Sequence, residues 1–282
     1  MKIILSRKGV DSSSGRMPSP IFPDGSLVSL PIPDKASPIT YEGIQAHNGW
    51  NMGELVAMLS GKPTMSAWRA HLDPDLFDGA MHRLKGWKAV FGQQGAAQGH
   101  LRNHDISNGD LFLFFGLFRE TVLKNGKLCW KSDSPQKHVI WGWLQTETIL
   151  PVSEQTLCSY PWLDYHPHAY GDRIGQNVWY IAKEQLSLFD SLLNIRGGGI
   201  FTHFAPSRQL TTTNQNKASC WSLPRWMHPS RREVTFSRFT NQWSTDQEGM
   251  AQLTPVGQWQ ECILHCHQPI NVKIWLENIF RT

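Results

Sequence analysis

Four short segments of this 282-residue chain hold side chains whose types and spacing suit polar chemistry. The first is ILSRKGVDSSSG, residues 4–15, where an apolar run gives way at once to Arg7, Lys8, Asp11 and Ser12. Cations, a carboxylate and hydroxyls on a glycine-flanked loop suit an anion. It is not a phosphate-binding P-loop, because Lys8 precedes Gly9 and the prolines that follow bar the required helix. A solvated loop after a first strand is the plainer reading.

The second segment, FGQQGAAQGHLRN (91–103), sets Gln93, Gln94, Gln98, His100, Arg102 and Asn103 among residues small enough for close ligand approach. Amides can pair with a base edge, Arg can grip a phosphate, and His100 can exchange a proton. The alternative is a polar turn leading to a central strand. The third, YHPHAYGDRIGQN (165–177), places His166 and His168 two apart, on one side of an extended backbone. Asp164 and Asp172 lie near in sequence but complete no recognisable metal spacing, so structural histidines are the plainer reading. In the fourth, ECILHCH (261–267), a strand would turn Cys262 and Cys266 away from His265 and His267, so zinc is not expected there. No metal and no cofactor is expected from these spacings.

A regional bias adds a fifth feature. From Arg196 to Arg238 seven cations face one acid, Glu233, and Trp221 and Trp226 lie among them, whereas the whole chain carries only +4. Arginines interleaved with aromatics suit a groove that tracks a nucleic-acid backbone and stacks bases, with Arg225, Arg231 and Arg232 as phosphate contacts. A solvated basic loop is the competing reading. The five cysteines form no disulfide framework, no signal peptide is recognised, and no apolar run is long enough to span a bilayer. These point to a cytoplasmic protein with no membrane partner.

The elements that must position these groups are mostly strands. LFLFFGLF (111–118) follows the turn Asn108-Gly109-Asp110 and reads as a strand buried on both faces. HVIWGWLQTETI (138–149) reads as a second, with Asn125-Gly126 marking a turn between them. Further strands are expected at 177–182, 200–205, 234–239 and 256–265. Helices are expected at 52–60, ending at Gly61, and at 183–193 and 272–280. Six prolines between 18 and 38 forbid a helix there and predict an extended arm. The expected fold class is α+β with a β-rich core and peripheral helices. It forms one elaborated domain over 1–282: strand and Pro-rich arm over 1–50, central β-core over 90–182, basic Trp-bearing region over 196–240.

The N-terminal block through PIPDK, together with RAHLDPDL, FGQQGAAQGHLRN, NGDLFLFFGLFRE, HVIWGWLQ and HPHAYG, resembles the bacterial family nucleotide modification associated domain 3. That resemblance implies a setting in which modified bases are made or handled, including phage-defence and mobile-element systems, and implies no particular reaction. The GDLFLFF strand and its return are also similar to PUA-like barrels of the ASCH and EVE type. Those recognise modified bases or structured RNA in a cleft, and some hydrolyse modified nucleosides. On these resemblances Arg7, Lys8, Asp11 and Ser12 form one wall of a pocket. The arm crosses near it with Asp24 and Lys35, and Gln98, His100, Arg102 and Asn103 form the opposite wall. Trp143 offers a stacking face; Trp141 is either a second one or core.

Three functions stay open at this stage. A reader of a modified base in DNA or RNA would use the amides and the basic region. An enzyme that installs or removes a base modification would use His100 or His168 as acid/base with Asp11, Asp73 and Lys8 beside them. A partner-binding component of a defence system would need none of these. Nucleic acid or a nucleotide is the expected partner.

Overall fold

The computed structural model describes residues 1–170, 176–189, 191–213, 217–239, 242–257 and 259–281. Asp172, Asp190 and part of the 211–217 run therefore lie outside the described residues. Along the chain the strands are β1 (Ile3–Arg7), β2 (Ser19–Ile21), β3 (Ile32–Pro33), β4 (Ala70–His71), β5 (Val90–Gln94), β6 (Leu111–Lys124), β7 (Lys127–Trp130), β8 (Lys137–Pro151) and β9 (Asn177–Ala182). The later part adds β10 (Gln185–Leu188), β11 (Ser191–Arg196), β12 (Gly198–Ile200), β13 (Trp221–Leu223), β14 (Val234–Phe236), β15 (Trp243–Thr245), β16 (Ala251–Leu253) and β17 (Glu261–Cys266). The helices are α1 (Met52–Ser60), α2 (Gly95–Asn103), α3 (Glu154–Ser159) and α4 (Pro269–Phe280). The protein is thus α+β, rich in strands and sparing of helices.

The central sheet runs β14-β17-β1-β6-β8-β9-β5. Side chains alternate across a strand, and β6 fills both faces: Leu111, Leu113 and Phe115 enter one core, Phe112, Phe114 and Phe118 the other. Each phenylalanine fully removed from water contributes roughly 2 kcal/mol of transfer free energy, so this strand fixes the register of its neighbours. β1 pairs with it in parallel and β8 antiparallel. Between Phe114–Gly142 and Phe115–Ile140 the pairing skips Trp141, a bulge that inverts the parity of β8. Val139 and Trp141 therefore share a face with Leu144, while Ile140 and Trp143 share the other.

The sheet curls without closing. Phe91 of β5 packs 5.1 Å from Phe112 and 5.2 Å from Phe114 of β6, although β8 and β9 intervene in the ladder order. Among the described residues no backbone ladder joins β5 to β17 or β14, so this is no closed barrel. Side chains bridge the seam instead: Gln93 Nε2 donates to Glu261 Oε1 at 2.5 Å and lies 3.4 Å from Gln260 Oε1.

The Pro-rich arm is extended as its composition requires and packs with α1 as a further layer around Tyr41, Leu55 and Val56. Tyr41 Oη donates to the Pro31 carbonyl at 2.7 Å. The Asn51 side chain caps α1 by accepting from Gly53 N at 2.8 Å, and Gly61 ends it at φ +68°. Three local expectations need correction. Where a helix is expected over 183–193, β10 and β11 pair antiparallel instead, and Phe189 at φ +45° is incompatible with a continuous helix. The turn at Asn125-Gly126 joins β6 to the short β7, with β8 following. The polar 95–103 stretch is helix α2, neither loop nor turn.

Candidate functional site

The site is built where β4, β5, β9 and the turn at 166–168 meet. Asp73 follows β4, and its carboxylate is almost completely buried. Its Oδ1 accepts from Gly92 N at 2.6 Å, and His166 Nε2 stands 3.3 Å away with its N–H poorly aligned, an electrostatic contact rather than a formed hydrogen bond. The other oxygen, Oδ2, faces His168 Nε2 at 3.7 Å and His71 Nε2 at 3.9 Å.

Hydrogen-bond partners fix the imidazole tautomers. Asn177 Nδ2 donates to the His168 carbonyl at 3.1 Å, so its Oδ1, 2.7 Å from His168 Nδ1, must accept a proton from that nitrogen. His71 Nδ1 likewise donates to Asp34 Oδ2 at 2.8 Å. His166 is the reverse: Trp179 Nε1 can only donate, so His166 Nδ1, 3.2 Å away, accepts and Nε2 carries the hydrogen. His166 and His168 do converge, but through a tight turn over Pro167–Ala169 rather than on an extended strand. That turn sits on the small core formed by Val90, Trp162, Leu163, Trp179 and Ile181. A Cβ on Gly92 would lie 2.4–2.8 Å from ring atoms of His168, so only glycine lets the ring approach.

Charge follows from this packing. Burial alone would raise the Asp73 carboxyl, but the His166 and His168 imidazoles hold it well below the usual carboxylate range. Burial pushes His166 down against the pull of Asp73. For His168 burial is outweighed by Asp73 and Asn177, and its pKa rises. The hydrogen bond from His71 lowers Asp34.

This centre ends one lobe, about 320 Å³, of an open cleft also lined by Arg7, Lys8, Asp11, Gln93, Gln94 and Gln260. A second lobe of about 600 Å³ shares Arg7, Ser13, Ser14, Gln94 and Gln260 and adds Ala96, Ala97, Arg238, Trp259 and Glu261. Together they fall within the size range of small-molecule sites. At the junction Lys8 Nζ lies 3.2 Å from Glu261 Oε1 and 4.6 Å from the centre of the Phe91 ring. Glu261 Oε2 is buried with no hydrogen-bond partner.

Of the residues singled out in the sequence, Arg7, Lys8, Asp11, Asp73, Gln93, Gln94 and His168 line the cleft. Asp11 organises its own loop, accepting from Ser13 N and Ser14 N at 2.7 Å each, and Ser12 points to solvent. Asp24 caps a turn by accepting from Ser26 N at 2.9 Å, and Lys35 is exposed outside the cleft lining. On α2, Gln98 is buried and accepts from Tyr180 Oη at 2.9 Å, while Arg102 and Asn103 are exposed. His100 faces Ser237 Oγ at 3.1 Å, outside both lobes. Trp143 is core, its Nε1 donating to the Arg196 carbonyl, and Trp141 is buried as well. Arg225, Arg231 and Arg232 are exposed on turns away from the cleft lining; from the basic region it is Arg238 that reaches the cleft. Residues 69–76, RAHLDPDL, supply the partners of His168: Asp73, which the sequence had placed beside it, and His71, which the sequence reading missed; the two repeat the two-residue spacing of His166 and His168.

The chain is a strand-rich α+β protein with an open polar cleft lined by cations, amides and an imidazole–carboxylate centre. The family model for nucleotide modification associated domain 3 matches residues 2–265, and the chain belongs to that family. No curated protein and no solved structure matches it. The family description ties the chain to nucleotide modification, and no helix among the described residues is long and apolar enough to cross a membrane.

Proposed function

We propose that the protein is an enzyme of nucleotide modification, acting on a nucleotide held in this cleft. The phosphate lies in the second lobe, where Arg7 and Arg238 supply guanidinium groups suited to its oxygens. The amides of Gln94 and Gln260 and the free acceptor of Glu261 meet polar edges of base or sugar. The reacting atom is presented to His71, Asp73 and His168. One observation supports this reading above the others: a cationic lobe and the imidazole–carboxylate centre open into a single cleft of nucleotide size. A substrate within a polynucleotide is favoured by the exposed Arg225, Arg231 and Arg232, which suit a phosphate backbone, and a base reaching the cleft would be flipped out of its stack. The curl of the sheet around Phe91 supports a distant likeness to PUA-like barrels, with a seam in place of the closing ladder.

The test is native mass spectrometry of the protein with nucleotides and short oligonucleotides, bare and base-modified. Binding with a changed product mass is expected. Arg7→Ala with Arg238→Ala weakens binding by about tenfold or more, consistent with losing two charge-assisted contacts. Binding without any mass change across the panel would leave a reader of modified bases. Absence of binding at millimolar concentration would sink the nucleotide reading altogether.

A further inference from the structure

We infer that His71, Asp73 and His168 form a binding site for one divalent transition-metal ion at the floor of the cleft. One imidazole nitrogen from each histidine and one carboxylate oxygen lie within 4.8 Å of one another, and the nitrogens that face Asp73 Oδ2 are both Nε2. The tautomers argued above make both Nε2 atoms lone-pair acceptors, since each Nδ1 has its hydrogen engaged by Asn177 or Asp34. With both rings neutral, three acceptors converge, an arrangement that a shared proton or a metal cation resolves. Imidazoles whose other nitrogen donates to a carboxylate or carbonyl oxygen are the usual form of metal-ligating histidine. Asp73 fits the same role: Gly92 N holds Oδ1 from behind, leaving Oδ2 as a single ligand toward the imidazoles.

The geometry needs only a small contraction. Donors about 2.1 Å from a common ion and roughly 90–110° apart stand roughly 3.0–3.4 Å from each other. Oδ2 is 3.7 and 3.9 Å from the two imidazole nitrogens, so shifts of about half an ångström bring it into range of an ion they share, while the nitrogens themselves, within 4.8 Å of each other, close by up to about 1.5 Å through ring rotation. Two imidazoles and one carboxylate occupy one side of an ion and leave the positions facing the cleft for water or a substrate oxygen; such a set suits Fe(II), Zn(II) or Co(II) over the hard, all-oxygen ions. His166 is excluded as a ligand by its tautomer and instead buttresses Oδ1.

The ion and the nucleotide would share the cleft, yet metal binding is measured with no nucleotide present, so either reading can fail alone. Untagged, full-length protein stripped with a chelator is titrated with Co(II) and followed by its visible d–d bands. One ion per chain is expected, with bands stronger than those of the aqueous ion and a rise in Tm. His71→Ala, at a half-buried position, and His168→Ala weaken the binding by about 100-fold or more. His104→Ala leaves it unchanged. Circular dichroism separates loss of a ligand from loss of the fold, and His71→Ala decides the matter even where His168→Ala fails to fold. Folded parent protein that leaves the cobalt spectrum aqueous would mean that a proton, rather than a cation, holds the three acceptors together. That result, or a His71→Ala protein binding like the parent, overturns the inference.

Discussion

Two clusters of histidine, one against β5 and the other between α2 and β17, differ in what stands behind them. In the cluster of His71, His166 and His168 a buried carboxylate lies at the centre, and every ring has one nitrogen committed to an outside partner. In the cluster of His100, His104 and His265 the rings mainly face one another. His100 and His104 lie 4.7 Å apart centre to centre, and His104 Nδ1 is 3.2 Å from His265 Nε2. The charges around them are cationic: burial, Arg238 and His104 bring His100 down to about 4, and burial, His104 and Lys2 lower His265. Asp110, the carboxylate that acts on His265, is already engaged by Lys2 N and Ser107 N. Three imidazoles are therefore not enough for a site. The outer hydrogen bonds that orient the lone pairs make one cluster a centre and leave the other a packing solution.

The sharpest way to break this contrast is to substitute one glycine in each region. Gly92→Ala drives a methyl into the His168 ring, and cobalt binding is expected to fall by about 100-fold with a stability loss of about 1–3 kcal/mol, measured by titration and by urea melts. Gly99→Ala on α2 meets nothing within 4 Å and is expected to stabilise the fold by about 0.5–1 kcal/mol without touching metal binding. Equal effects from the two would erase the distinction. Asp34→Ala removes the outer partner of His71 and an exposed turn bond from Ala36 N, so affinity for Co(II) should drop by about 10- to 100-fold while far-UV circular dichroism stays as in the parent.

The smallest effect concerns acid stability of the second cluster. The unfolded chain takes up a proton on His100 below about 6.5, whereas the folded chain resists it until about 4. Stability must therefore fall as pH drops through that window. Replacing His100 with Gln makes the slope of unfolding free energy shallower there by up to about one proton. An unchanged slope would show that the ring titrates normally.

Much of the fold was readable because β1, β6, β8 and α1 announce themselves by apolar runs, turn pairs and a terminal glycine. The 183–193 segment misled because Leu186, Leu188, Leu192 and Leu193 fit a helix stripe as well as two short strands, and only Phe189's backbone decides between them. The polar motif 91–103 divides into two halves: Gln93 and Gln94 reach the cleft from β5, while helix α2 turns Gln98 inward and Arg102 outward. His168 was visible as half of a pair. Asp73 was named as a carboxylate for it, but His71 was not, because it lies about a hundred residues away and meets His168 only through the β5–β9 pairing. The bias toward arginine marked a region and could not single out Arg238, whose Nε is anchored to the Glu261 carbonyl at 2.9 Å.

The unladdered seam has a kinetic consequence. Strands joined by backbone bonds open together, but β5 and β17 are held to each other by the side chains of Gln93, Lys8 and Glu261. A few such bonds can part on a much faster clock than the sheet unfolds. A bound molecule touching Gln94 on one margin and Gln260 on the other would act as the missing rung. Amide exchange at the two margins should then slow in step when the cleft fills, and remain uncoupled while it is empty.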